Sequence, residues 1–170
     1  MSFTLYDASI PPMIRGLQNL SKILDKAVAQ AKSEDRDLNT LLEGRLAPDM
    51  FPFTRQIQIV SDTAKGCAAR LTGSEPPAFP DDEKTFPELR QRIVKTIDYL
   101  KSFRAEQFEG ADTRKVTLKF PNGSMSFSGS EYVTGFVLPN FYFHVTAAYA
   151  ILRHNGIGLG KMDYLGPPPG

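Results

Sequence analysis

Apolar positions along the chain fall first into steps of three and four. Ile10, Met13, Ile14, Leu17, Leu20, Leu24, Ala27, Val28 and Ala31 lie on one side of a 3.6-residue repeat, so their spacing predicts an amphipathic helix. Ser9 is placed to cap it, and Pro11 and Pro12 fit a first turn, where N–H groups have no intrahelical partner. The charged residues 32–36 read as exposed, and residues 39–42 as a short helical turn. A second stripe (Phe53, Ile57, Val60, Ala64, Cys67, Ala68 and Leu71) predicts a helix beginning within residues 49–52. Asp49 can cap it, with a charge suited to a helix N-terminus. Gly73, Pro76, Pro77 and Pro80 end it in a long loop. The third helix opens on Thr85 with Glu88 three residues on, a capping box, and carries Phe86, Leu89, Ile93, Ile97, Leu100 and Phe103.

The period then changes to two. Val116, Leu118 and Phe120 alternate with polar residues, Pro121-Asn122-Gly123 turns the chain, and Met125 and Phe127 alternate with serines. This predicts a β-hairpin in which Asn-Gly supplies the positive φ angles of a tight turn, with an apolar face covering part of the helices. A last helix is predicted from Pro139 to Asn155, with Phe141, Val145, Ala148, Tyr149 and Leu152 inward and Asn155-Gly156 as its stop. The fold class is thus mainly α: a four-helix bundle with a small β-hairpin between the third and fourth helices. One domain spans residues 1–166, and residues 167–170 form a flexible, Pro-rich tail.

Composition narrows the partners. Lys and Arg number 20 against 19 for Asp and Glu, so nothing draws the chain toward nucleic acid or anionic lipid. No run approaches ~18 consecutive apolar residues, and no membrane partner is expected. The lone Cys67 falls on a helical apolar stripe and reads as a small buried hydrophobe. With one cysteine and no secretory pattern at the N-terminus, a cytoplasmic location is expected. Asn122-Gly123-Ser124 then reads as a turn, not a glycosylation site.

Two stretches carry a resemblance. Arg45-Leu46-Ala47-Pro48-Asp49-Met50-Phe51-Pro52-Phe53, with Gln56, is one. The other is Leu138-Pro139-Asn140-Phe141-Tyr142-Phe143-His144, continuing through Ala148-Tyr149 and Leu152-Arg153-His154-Asn155-Gly156 to Tyr164-Leu165-Gly166. Both resemble a bacterial domain-of-unknown-function family of the DinB/YfiT-like metalloenzyme superfamily. The resemblance covers nearly the whole chain and implies a DinB-like four-helix bundle, a homodimer and no particular reaction. Better-known members of the superfamily hold a divalent metal with three histidines, one on the second helix and an H-x-x-x-H pair on the last.

The residues argue against that centre. The two histidines, His144 and His154, are ten residues apart. That is roughly 15 Å along a helix and roughly 80° around it, out of reach of one ion. If His144 matches the first histidine of the pair, its partner position is Ala148, which has no ligand atom, and the second helix offers Gln56 and Gln58. No metal ligands and no cofactor are therefore predicted; a divalent metal would need an unconventional site. His144 and Gln56 each border an apolar stripe, and facing helices would bring them into a polar pocket beside Ala148, with Asp49 and Tyr149 as further pocket candidates. A core-edge histidine satisfied by one hydrogen bond is the plainer alternative. His154 lies in the last turn, where it suits the helix dipole and faces solvent.

Three other signals carry less. Residues 156–160 resemble a nucleotide loop, but they follow a helix and open none, so they read as a flexible connector. Asp81, Asp82 and Glu83 precede the Thr85 cap and read as helix-dipole partners. Phe141, Tyr142 and Phe143 read as core or dimer face, and residues 132–137 as apolar interface area. Two functions follow. The first is a non-catalytic bundle that dimerises and binds a small molecule. The alternative is an enzyme with a degenerate site and His144 as general base, a metal-dependent transferase or hydrolase by superfamily analogy.

Overall fold

The computed structural model describes residues 3–168, so residues 169 and 170 of the predicted tail lie outside it. Helix α1 runs Leu5–Ser33 and begins earlier than its stripe suggested. Thr4, not Ser9, is the cap: its hydroxyl accepts the Asp7 N–H at 3.2 Å, and the Asp7 carboxylate takes the Thr4 N–H at 2.9 Å. Ser9 is buried and donates its hydroxyl to the Leu5 carbonyl at 2.6 Å. Pro11 and Pro12 therefore lie inside the helix, where they bring no N–H to the carbonyls of Asp7 and Ala8. Ile23 joins the buried stripe, while Val28, one position round from Ala27, faces out.

Helix α2 is Phe53–Thr72, and Asp49 does not cap it. The first N–H groups are met by backbone instead: Phe53 donates to the Gly44 carbonyl at 2.9 Å and Thr54 to that of Leu42 at 3.0 Å. Those carbonyls follow a 3-10 turn at Leu38–Leu41, close to the predicted helical turn. Helix α3 is Phe86–Lys101, capped by Thr85 as predicted, although the Glu88 carboxylate takes the Lys84 N–H at 2.6 Å rather than that of Thr85.

Strands β1 (Val116–Phe120) and β2 (Gly123–Phe127) form the predicted hairpin, in antiparallel register from Val116 opposite Phe127 to Phe120 opposite Gly123. Pro121 and Asn122 occupy the turn, and of the Asn-Gly pair only Gly123 has a positive φ, 144°. Val116 and Leu118 are buried, while Phe120 and Met125 remain exposed, so β1 supplies most of the covering face.

Helix α4 spans Gly129–His154, nine residues earlier than Leu138, where its regular α portion begins. Ser128 and Glu131 close a capping box: Ser128 accepts the Glu131 N–H at 3.4 Å and Glu131 takes the Ser128 N–H at 2.8 Å. A π-helical turn at Tyr132–Val137 then leads into Leu138 and Pro139. Pro139 brings no N–H, and the wider i→i+5 turn absorbs the mismatch. Tyr132, Val133 and Val137 are buried in the bundle, while Thr134 and Gly135 are exposed, so little of the apolar area expected for a dimer interface is left on the surface. Gly129 is required there, because a Cβ would sit 1.7 Å from the Ala111 carbonyl oxygen.

By length and composition α4 is apolar enough to cross a membrane. In this fold it is a core helix instead, packed most extensively against α2 with Phe141, Val145, Ala148, Ile151 and Leu152 buried. Helix α1 packs on α3 and α4, and α2 on α3, which closes the four-helix bundle. Residues 156–160 are docked rather than free: Ile157 and Leu159 are buried, and the Gly158 N–H donates to Gln30 Oε1 at 2.7 Å. The short helix α5, Lys161–Leu165, then lies on α1. The tail begins docked as well, because Arg15 Nη2 donates to the Pro167 carbonyl at 2.5 Å.

Candidate functional site

The packing of α2 on α4 brings Gln56 and His144 together across 88 residues of sequence. Gln56 is 1% exposed and His144 7%. Gln56 Nε2 donates to the Phe51 carbonyl at 2.9 Å, so Oε1 is the atom turned to the imidazole. His144 Nδ1 stands 2.6 Å from that oxygen and carries the hydrogen. One chain of bonds therefore ties α4 to α2 and α2 to the loop that precedes it. The Phe143 ring packs edge-on to the imidazole, with centroids 5.1 Å apart.

This tautomer leaves Nε2 as the acceptor. It has no hydrogen-bond partner among the described residues, yet it is not sealed from solvent. Burial, and then the charge of Arg55, hold the His144 pKa below the usual imidazole value, so the ring is neutral at neutral pH. A neutral imidazole fixed at Nδ1 with an open Nε2 can accept a proton or a hydrogen bond.

The three-histidine centre implied by the superfamily does not fit these residues. Gln56 directs its oxygen at an N–H rather than at an open coordination position. Ala148, one turn beyond His144, is buried and has no donor atom. His154 is exposed on the last turn of α4, as its spacing predicted. Among the described residues, no three His, Cys, Asp or Glu side chains are placed to hold a metal ion.

Asp49 and Tyr149 do not join the pair. Asp49 is exposed in the loop before α2, and Tyr149 turns to α5, where its ring meets Tyr164 edge-on at 6.3 Å. Cys67 is fully buried, and desolvation pushes its thiol up to about 12, in line with an inert core residue.

A second polar cluster escaped the sequence reading. Arg92 of α3, 2% exposed, donates to Glu83 Oε1 at 2.9 Å, Asp62 Oδ1 at 2.9 Å and the Pro80 carbonyl at 3.0 Å, and pairs with Asp81 at 2.9 Å. Lys65 donates to the Pro77 carbonyl at 3.0 Å and lies 3.9 Å from the centroid of Phe79. Gln58 donates to Glu83 at 3.0 Å, and Arg55 to Asp81 at 2.7 Å. Asp81 and Glu83 are thus ion-pair partners, not the helix-dipole charges expected from their position. The cluster clamps the long loop between α2 and α3.

Two apolar cavities flank α4. One, of about 360 Å³, lies between α1, α4 and α5; the other, of about 380 Å³, lies between α4 and the loop carrying Leu46 and Met50. Tyr142 borders both, and Gln56 and His144 line neither.

No curated protein matches the chain. Among solved structures, it is similar to the crystal structure of a DinB family member protein from Shewanella denitrificans. The two share 43% sequence identity and a TM-score of 0.90, over 98% of this chain and 94% of that one. Residues 5–165 match the family described as Domain of unknown function (DUF1993). That match and the DinB-like bundle agree with the resemblance carried by the 45–56 and 138–166 stretches, and the chain belongs to the DUF1993 family.

Proposed function

We propose that the protein is a non-catalytic bundle that binds a small molecule, with the Gln56–His144 pair acting as a structural lock where metal-dependent relatives carry ligands. The closed hydrogen-bond chain from His144 through Gln56 to the Phe51 carbonyl carries this reading. It engages both the oxygen and the amide nitrogen of Gln56 inside the fold. The two apolar cavities along α4 supply volume of the size small-molecule sites use. A homodimer and a cytoplasmic location belong to the same proposal. Exposed Leu46, Phe51 and Phe143, beside the cavity at Met50, replace residues 132–137 as its contact face.

The test is metal content by elemental analysis on untagged protein, with thermal melts against zinc, nickel and manganese. The expected result is substoichiometric metal and an unchanged melting temperature. Stoichiometric metal that disappears in His144→Ala overturns the lock. Light scattering that finds only monomer at high concentration removes the dimer.

The open Nε2 of His144 favours a second reading, catalysis with this imidazole as general base. Any activity found in the purified protein that survives His144→Ala unchanged sinks it.

A further inference from the structure

The cavity between α1, α4 and α5 is lined by a largely buried amide whose oxygen meets no donor from the fold. Asn19 lines it and is 5% exposed. Its Nδ2 donates to the Tyr164 carbonyl at 3.0 Å, which fixes the orientation of the amide. Its Oδ1 has no donor among the described residues and is not sealed off. An oxygen on a side chain this buried ordinarily has a partner, and here the space for one is the cavity. Gly166, at φ 71°, passes over this amide without a side chain, and a Cβ there would come within 2.4 Å of Oδ1. The glycine leaves the oxygen open.

The remaining surroundings set the chemistry of what would meet it. Pro12, Val145, Leu165 and the rings of Tyr142 and Tyr164 give largely apolar walls. The two charged groups at the rim are already engaged. The Asp7 carboxylate takes the Thr4 N–H and hydroxyl, at 2.9 and 2.6 Å, and Arg15 Nη2 donates to the carbonyls of Leu165 and Pro167. The Tyr142 hydroxyl makes no hydrogen bond among the described residues; burial first, then the neighbouring Tyr164, raises its pKa, so it stays protonated. Helix α5 closes one side, held by Asn19, by Arg15 and by the Lys26–Asp163 ion pair at 2.8 Å. The cavity of about 380 Å³ on the other side of Tyr142 has no comparable buried acceptor among its lining residues.

We infer that the α1–α4–α5 cavity binds a neutral, largely apolar ring compound that presents an N–H or O–H donor to Asn19 Oδ1. This rests on the ligand-binding reading and gives it a site. A volume of about 360 Å³ suits a molecule of two or three rings.

N-phenyl-1-naphthylamine serves as the probe: it is neutral, has one N–H and brightens in apolar surroundings. Fluorescence titration of the full chain is expected to show saturable binding at one probe per chain. The analogue 1-benzylnaphthalene, with no N–H, should bind about fivefold more weakly, the effect of one hydrogen bond. Val145→Phe, which fills the cavity, should weaken binding at least about tenfold. Leu165→Ala, which trims a partly exposed wall and spares the core, should weaken it severalfold. Ala150→Phe, in the neighbouring cavity, should leave it unchanged, and thermal melts report whether each variant folds. Binding lost in Ala150→Phe but intact in Leu165→Ala and Val145→Phe overturns the site and leaves the ligand-binding reading standing. No saturable brightening with folded wild-type protein removes both.

Discussion

Replacing Gln56 with leucine tests the lock most directly. The side chain is 1% exposed, and Gln56→Leu keeps the volume nearly constant, so the effect is one of hydrogen bonding. Two bonds go. The bond to the Phe51 carbonyl, at 2.9 Å, is the cheaper loss, because Phe51 is 53% exposed and water can replace the amide. Its net value is about 0.5–1 kcal/mol. The bond from His144 Nδ1, at 2.6 Å, is different, because leucine leaves that nitrogen against an apolar side chain in a residue only 7% exposed. An unsatisfied buried group of this kind costs about 1–3 kcal/mol. The sum is about 1.5–4 kcal/mol, which lowers a urea midpoint by about 1–2 M for a slope near 2 kcal/mol/M. His144→Leu should cost a similar amount by stranding Gln56 Oε1. The double variant should be no worse than either single one, because two apolar partners leave nothing unpaired. Urea unfolding of the four proteins at neutral pH gives the cycle. A Gln56→Leu protein within about 0.5 kcal/mol of wild type, or a strictly additive double variant, refutes the lock.

Acid should weaken the fold through His144. Burial and Arg55 hold its native pKa below the unfolded value, so between the two the unfolded chain binds more protons and stability rises with pH. The contribution is complete above about pH 6.5, the unfolded pKa, and declines as pH falls through it. Melts from about pH 8 to about pH 5 should show a slope that His144→Leu flattens; equal slopes in the two proteins refute it. Arg92→Met should destabilise by about 3 kcal/mol, because it leaves Glu83, itself mostly buried, without its cation. It should also open the loop between α2 and α3 to limited proteolysis. A variant as protease-resistant as wild type would show that the clamp is dispensable.

Where side chains answer to their own helix or hairpin, the sequence was legible. The stripes of α1, α2 and α3, the Thr85 cap and the alternation from Val116 to Phe127 are local, and the structure keeps them. The start of α4 was equally local in its Ser128–Glu131 box, but Pro139 masked the continuity that the π-helical turn restores. The Thr4–Asp7 box was overlooked because aspartate stood where glutamate is usual. The Arg92 clamp was illegible for another reason: its partners lie nine residues away at Glu83 and thirty at Asp62, on a loop and on a neighbouring helix. No periodicity couples such positions. The meeting of Gln56 and His144 was within reach only because each borders a stripe of its own helix, so facing helices had to bring them near. The cavity at Asn19 depends on α5 folding back onto α1, and the short segment after Gly156 gave no sign of that.

Glutamine at position 56 also sets what the surrounding loop can do. A histidine ligand would commit one ring nitrogen to a metal and keep at most one N–H for the protein. Glutamine has an oxygen and an NH₂, and here it uses them in opposite directions: the oxygen holds α4 through His144, and the amide hydrogen holds the Phe51 carbonyl. The loop so pinned carries Leu46, Met50 and Phe51, which stand beside Phe143 and the apolar cavity along α4. Arg55, one residue earlier, presses the same way, because its charge disfavours a second cation at His144 and favours the neutral ring that Gln56 requires. The pair therefore does by neutral hydrogen bonds what a metal does by coordination, cross-linking α2 and α4. It adds a fixed loop beside the apolar face that Leu46, Phe51 and Phe143 expose, the face through which the proposed dimer would form.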